Sequence, residues 1–228
     1  MRVAEIYESI QGEGALTGTR SVFVRTSGCN LRCVYCDTPY ASWNPEGEDL
    51  SVDEIVEAVV KWDAVHAVLT GGEPMLFAEL VPLCERLREL GMHITIETAG
   101  TLYLPLACDL MSISPKLSNS TPSAKDSPRW HQRHEDSRHV PKTIRQLVDE
   151  YSYQFKFVVG SPADLDEVLT YLGLFPHIDR SRVMLMPEGC DQQRLLELQR
   201  WLEPDCRQHG FRFCPRRHIE WFGALRGT

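Results

Sequence analysis

Short apolar, β-branched runs recur along the chain with amphipathic helical patterns between them, and this recurrence restricts the fold more than any other feature. The runs are SVFVRT (21–26), HAVLT (66–70), HITIET (93–98), DLMSIS (109–114), FKFVV (155–159), RVMLM (182–186) and FRFC (211–214), and they read as buried strands. Helical patterns follow several of them. LSVDEIVEAVVKW (50–62) carries Ser51 as a candidate cap with Glu54 three residues on, and MLFAELVPLCERLREL (75–90) closes on Gly91. Further helices are predicted at 143–151, 162–173 and 191–203. Such alternation predicts an α/β fold with parallel strands inside and helices outside, as an open or closed barrel. Only about ten residues separate HITIET from DLMSIS, too few for an ordinary crossover helix. The expectation is a partial barrel with a reduced helical layer.

The 228 residues are 43% hydrophobic and contain no Gly/Ser linker, so one core and one domain over 1–228 are expected. The segment 117–142 is poor in aliphatics and rich in Ser, Pro, His and charge, the composition of a long loop or lid. Its His131, His134 and His139 can be read as a metal tract, but a solvated His/Arg-rich loop is the commoner case. A formal net charge of −8 argues against a phosphate-tracking surface, so direct nucleic-acid binding is not expected. No run of eighteen apolar residues occurs, and the amino terminus has acidic residues where a signal peptide would be apolar. The expectation is a cytoplasmic protein without a membrane partner.

Three of the eight cysteines, Cys29, Cys33 and Cys36, crowd into a C-x3-C-x2-C run. Cytosolic thiols stay reduced, and this is metal-ligand spacing. Three such thiolates can hold zinc or an iron–sulfur cluster, and spacing alone does not choose. A zinc would want a fourth ligand. His66 and His93 fall within predicted strands, where a satisfied histidine is the commoner case, and Asp37 would strain to close the same tetrahedron as Cys36. On a cubane, three ligands leave one iron without protein. Cys84, Cys108, Cys190, Cys206 and Cys214 are expected to be small buried hydrophobes. LTGGEP (69–74) follows a strand and opens a helix; its glycines let backbone approach a ligand, although an ordinary turn has the same look.

The C-x3-C-x2-C run with Tyr35 before its last cysteine resembles the signature of the radical S-adenosylmethionine (SAM) enzymes. GGEP resembles their motif for the methionine amino group, which implicates Gly72 and Glu73. YESIQGEG, GTRSVFVRTSGCNLRCVYCDT, ETAGT (97–101), SPK (114–116), QFKFV (154–158) and the C-terminal HIEWFGALRGT are together similar to the 7-carboxy-7-deazaguanine synthase family. The resemblance implies a partial TIM-like barrel of the radical SAM core and a [4Fe-4S] cluster on Cys29, Cys33 and Cys36. It also implies that the amino and carboxylate groups of S-adenosyl-L-methionine chelate the open iron, and that cleavage gives a 5′-deoxyadenosyl radical. The implied activity is that of a carbon–nitrogen lyase. It contracts 6-carboxy-5,6,7,8-tetrahydropterin to 7-carboxy-7-deazaguanine with loss of ammonia, for queuosine-type tRNA nucleosides. Mg2+, an electron donor such as flavodoxin and a homodimer are implied as well. The rivals are a radical activase acting on a protein partner, against which SIQGEG and ETAGT speak, and a non-catalytic zinc or electron-transfer module.

By the same resemblance, Ile10, Gln11, Gly12, Glu13, Arg25, Thr70, Glu97 and His218 of the 215–228 tail contact substrate, with Arg25, Glu97 and Thr38 in catalytic roles. Amide and carboxylate groups at 11 and 13 suit a pterin edge, though a polar turn would look alike. Arg25 suits a paired contact to the substrate carboxylate or an ion pair at a strand end. Thr70 and Glu97 end successive predicted strands, the rim where barrel sites are built. Thr38 is implied as a Mg2+ ligand beside substrate and water oxygens; taken alone it is a turn residue. Tyr35, Cys36, Asp37, Ser114, Pro115, Lys116 and Gln154 are implied on the cofactor side, where Lys116 alone would pass for a solvated strand-end charge.

Overall fold

The computed structural model describes residues 1–223 and 225–228. In chain order the elements are β1 (Arg2–Ile10), β2 (Arg20–Thr26), β3 (Glu48–Asp49), α1 (Val52–Val59), β4 (His66–Gly71), α2 (Leu80–Glu89), β5 (His93–Thr98), β6 (Leu110–Ile113), α3 (Pro128–Arg138), α4 (Pro141–Glu150), β7 (Tyr153–Val159), α5 (Pro162–Gly173), β8 (Val183–Pro187), α6 (Gln192–His209), β9 (Arg212–Phe213) and α7 (Arg217–Phe222). The strands form one sheet in the order β3-β1-β2-β4-β5-β6-β7-β8-β9. From β2 to β9 every neighbouring pair is parallel, whereas β1 runs antiparallel to β2 and β3 antiparallel to β1. The sheet does not close on itself: β3 and β9 are its edges, so the barrel is a partial one. No helix among the described residues is long and apolar enough to cross a membrane.

Local chemistry explains the helix starts. The Ser51 hydroxyl accepts from the Glu54 N–H at 3.2 Å while the Ser51 N–H donates to the Glu54 carboxylate at 2.8 Å, so α1 opens on the expected capping box. Ser161 and Asp164 repeat the device at α5, with Pro162 in the first turn, where its missing N–H costs nothing. The predicted helix at 191–203 extends to His209: Leu202 and Cys206 are buried around Pro204, and packing carries the helix through the proline to its left-handed stop at Gly210. β5 and β6 are joined without a helix, as the short spacing required.

Register gives the sheet two different faces. Val22, Val24, Leu69, Ile94, Ile96, Met111, Ile113, Phe155, Phe157, Val183 and Leu185 all belong to the main core cluster. Their neighbours in sequence point the other way, because side chains alternate along a strand. The pairings Arg25↔Thr70, Glu97↔Ser112 and Ser112↔Gln154 carry that second, polar face across the sheet. The apolar parity builds the core and the polar parity builds a wall.

The segment 117–142 is not the loop its composition suggested. It contains the eleven-residue α3, and His134 on that helix is fully buried. Aliphatic content misleads here because α3 docks through an indole, an imidazole and charged groups rather than through a leucine stripe. Its histidines do not form a tract: His131 Nδ1 sits 2.9 Å from the Pro122 carbonyl, and His139 packs edge-on against Tyr171 at 5.0 Å. Cys190 is also a correction, since it is exposed rather than buried.

Phe157 is fully buried, stacked on Phe155 at 5.9 Å and edge-on to Tyr171 at 5.4 Å. We expect Phe157→Ala to lower unfolding free energy by about 3–5 kcal/mol through cavity formation, and Phe157→Leu by less, measured by anaerobic denaturant titration.

Candidate active site

The polar parity and the loops beyond the strands enclose a cavity of about 340 Å³, with Arg25, Thr70, Glu97, Ser112 and Lys156 on its sheet wall. Arg25, Thr70, Glu97 and Ser112 each sit one residue before the C-terminal end of their strand, as in barrel enzymes, while Lys156 lies midway along β7. Cys29, Cys33 and Cys36 line the same cavity.

Backbone packing at glycines seats the cysteine loop. The Glu73 N–H donates to the Gly28 carbonyl at 2.8 Å, and the Gly28 N–H donates to the Ala41 carbonyl at 2.8 Å. A Cβ on Gly72 would lie 2.2 Å from the Gly28 oxygen and 2.5 Å from the Ala41 oxygen. Gly71 has φ +147°, and a Cβ there would meet the Thr26 oxygen at 2.3 Å. Gly72 therefore admits the cysteine loop itself, a close approach of chain to chain, and Gly71 admits the end of β2. Glu73 is fully buried behind the cavity wall and does not line it. Its carboxylate accepts from the Ala99 N–H at 2.8 Å, the Thr98 hydroxyl at 2.8 Å and the Met75 N–H at 3.1 Å, tying the ends of β4 and β5 together. Burial pushes its pKa up, against the pull of these donors.

The donor set fits an iron–sulfur cluster. Burial pushes the Cys29 thiol up to about 12 and the Cys33 thiol to about 11, so both need a metal to be held as thiolates. Among the described residues no three His, Cys, Asp or Glu side chains converge on a single-ion site. A cluster takes each thiolate on its own iron, whereas structural zinc draws four donors onto one centre. None of the candidate fourth ligands reaches the cysteines: His66 and His93 pack against each other, tilted, at 4.7 Å at the opposite strand ends, and Asp37 is held by Arg216. The Ser42 hydroxyl lies 3.1 Å from Cys36 Sγ and the Leu31 N–H 3.4 Å from Cys29 Sγ, both able to donate to sulfur.

The same cavity is lined by a ladder of charge. Lys156, on β7, donates to Glu97 at 2.8 Å and to Glu13 at 3.0 Å. Glu13 also meets Arg216 at 3.3 Å and His218 Nδ1 at 3.8 Å, and Arg216 continues to Asp37. Although burial opposes it, the neighbouring cations hold the Glu13 carboxyl far below the usual carboxylate range; the two carboxylates likewise push the buried Lys156 ammonium up. Gly12 is where α7 enters: a Cβ there would meet the His218 backbone nitrogen at 2.5 Å, and the Gly12 carbonyl accepts from the Arg217 N–H at 2.9 Å. Arg25 is held from β1, its Nε by Glu5 at 2.7 Å and one terminal nitrogen by the Tyr7 hydroxyl at 2.8 Å.

The substrate-side residues expected from sequence, Ile10, Gln11, Gly12, Glu13, Arg25, Thr70, Glu97 and His218, all line this one cavity. So do Tyr35, Asp37, Thr38, Gly72, Ser114 and Lys116. Pro115 and Gln154 do not. The Gln154 amide is spent on structure, donating to the Ser112 hydroxyl and accepting from the Ala15 N–H, each at 2.8 Å. Lys116 folds back onto Ser114, donating to its carbonyl at 2.6 Å and to its hydroxyl at 2.8 Å. Sequence reasoning missed Lys156 and Arg216. The signal for Lys156 was present, because a strand with Gln154 on the polar face places 156 beside it. Arg216 carries no such signal, since its partners lie far away in sequence.

A family model for the radical SAM superfamily matches residues 23–116. The 7-carboxy-7-deazaguanine synthase of Rhodopirellula baltica is 47% identical, covering 99% of this chain and 88% of its own length. That of Halobacterium salinarum is 43% identical, covering 95% of this chain and 88% of its own. Among solved structures, QueE from Escherichia coli superposes with a TM-score of 0.71 over 95% of this chain and 94% of that one; at 21% identity the likeness is one of fold.

Removing the ammonium of Lys156 leaves Glu97 without a cation and Glu13 with Arg216 and His218 alone. We expect Lys156→Met to lose about 3 kcal/mol of stability at neutral pH. Protonation of one carboxylate relieves the repulsion, so the deficit shrinks as pH falls toward 5. Denaturant unfolding of wild type and variant at both pH values reads the difference.

Proposed function

We propose, because this chain belongs to the 7-carboxy-7-deazaguanine synthase family, that it is a carbon–nitrogen lyase of the radical SAM class. It contracts 6-carboxy-5,6,7,8-tetrahydropterin to 7-carboxy-7-deazaguanine with loss of ammonia, in deazapurine biosynthesis. The observation that carries this reading is the placement of the charged ladder Glu97–Lys156–Glu13 and the three-cysteine loop on one cavity.

Cys29, Cys33 and Cys36 would hold a [4Fe-4S] cluster, and Tyr35, Asp37, Gly72 and the Ser114–Lys116 turn would flank S-adenosyl-L-methionine, with Glu73 and Gln154 supporting from behind. When bound, the cluster and the sulfonium cofactor supply one-electron radical chemistry that opens a substrate C–H bond. The protein's part is placement. Arg25 presents a fixed cation to the substrate carboxylate, its orientation set by Glu5 and Tyr7. Glu13 and Glu97 stay in place as acceptors for the pterin edge because Lys156 holds both. Gln11 is oriented by donation to the Ser21 hydroxyl at 2.8 Å, and Ile10, Gly12, Thr70 and His218 complete the pocket.

Thr38 would take part in a Mg2+ site completed by substrate and water oxygens, which suits a cation that keeps much of its hydration. A homodimer and a flavodoxin-like electron donor complete the reading and rest on the resemblance.

Anaerobic incubation of reconstituted protein with S-adenosyl-L-methionine, reductant, Mg2+ and 6-carboxytetrahydropterin should yield a product with the mass of 7-carboxy-7-deazaguanine. Cofactor cleavage that leaves the pterin intact would favour an activase. In Thr38→Ala the response of turnover to added Mg2+ should disappear; an unchanged response removes the metal from Thr38.

A further inference from the structure

We propose that α3 is a clasp for the cysteine loop and that His134 is its positioning residue, setting the backbone that presents Cys33 to the metal; this rests on the reading of Cys29, Cys33 and Cys36 as cluster ligands. His134 is fully buried with a partner at each ring nitrogen. The Arg32 N–H lies 3.1 Å from Nδ1, and the Ser120 hydroxyl lies 2.8 Å from Nε2. A backbone N–H can only donate, so Nδ1 is the acceptor and the ring proton sits on Nε2, directed to Ser120. The Ser120 hydroxyl in turn donates to the Leu117 carbonyl at 2.6 Å, and the Ser120 carbonyl accepts from the Val34 N–H at 3.0 Å. The N–H groups on either side of Cys33, at Arg32 and Val34, are thus both taken by one unit.

The same helix holds the Arg32 side chain. Trp130 lies one turn before His134 on the same helical face, and the Arg32 guanidinium lies over its ring at 4.1 Å. From there it donates to the Cys29 and Leu31 carbonyls, each at 2.7 Å. On the other side of the loop the Trp43 indole donates to the Cys33 carbonyl at 2.9 Å. Residues 27–33 form no helix or strand, so their backbone groups depend on such outside partners. His134 touches no thiol. It acts on the cysteines through Arg32 and Ser120.

The test compares wild type, His134→Leu and His134→Asn after anaerobic reconstitution with iron and sulfide. Readouts are iron per chain, the visible spectrum, the rate at which that spectrum bleaches in air, and far-UV circular dichroism for the fold. Asparagine can place its carbonyl oxygen where Nδ1 was and still accept from Arg32. We expect His134→Leu to fold but bleach roughly tenfold faster, the scale set by one buried N–H left without a partner, and His134→Asn to stay within about threefold of wild type. A folded His134→Leu with the iron content and bleaching rate of wild type overturns the proposal, as does a folded His134→Asn no better than leucine. Should His134→Leu not fold, Trp130→Ala, at a half-buried position, is read by the same criteria. Wild type that takes up no iron chromophore would instead refute the cluster reading beneath the proposal.

Discussion

The contact on which the rest of the molecule depends is backbone against backbone: the cysteine loop at Gly28 resting on Gly72, just past the end of β4. There is no room for a single carbon at position 72, where the Gly28 oxygen would be 2.2 Å away. The loop is therefore seated on the rim of the sheet by contacts with little slack. The cysteines and the polar ends of β4 and β5 keep a fixed relation, and Glu73 locks those ends from beneath. A cavity that must present a substrate to a metal-bound cofactor needs that rigidity, because small displacements between reacting groups are costly.

Strand parity does the rest. Apolar residues of one parity form the core, and charges of the other parity, which would be intolerable there, gather on the cavity side. Burying Lys156 is affordable only because Glu13 and Glu97 meet it. The stabilisation has a wide pH window. Glu13 is depressed below its ordinary 4.5, so its share is present above that value and is lost as pH falls through the depressed one. Lys156 is raised above its ordinary 10.5, so its share is present below that value and is lost only as pH rises through the raised one. Between about 5 and 10 Glu13 and Lys156 both stay charged. The C-terminal segment extends the ladder: Arg216 reaches Glu13 at 3.3 Å and also meets Asp37 beside the last cysteine, so it spans from the substrate wall to the metal loop.

Much of this was legible in the residue string. Repeated apolar runs foretold the parallel strands, Ser51 marks where a helix begins, and the three cysteines with GGEP located the site. What escaped had physical causes. α3 was read as a loop because hydropathy measures aliphatic burial, and this helix is held by Trp130 against Arg32 and by His134 against two partners. The glycines of GGEP were recognised as places of close approach, but sequence does not say what approaches; it is Gly28 at Gly72 and Thr26 at Gly71. Arg216 escaped because its partners are 179 and 203 residues away, and only the closing of the cavity by the tail brings them together.

The central claim is that the protein leaves one iron corner of its cluster open for a sulfonium nucleotide. Its most direct test is electron paramagnetic resonance of the reduced, reconstituted protein with and without S-adenosyl-L-methionine carrying nitrogen-15 in its amino group. Binding at the open corner predicts a changed spectrum with a resolved nitrogen-15 coupling. A spectrum indifferent to the nucleotide, with no coupling, would mean that the corner is filled by the protein or that no such cluster forms.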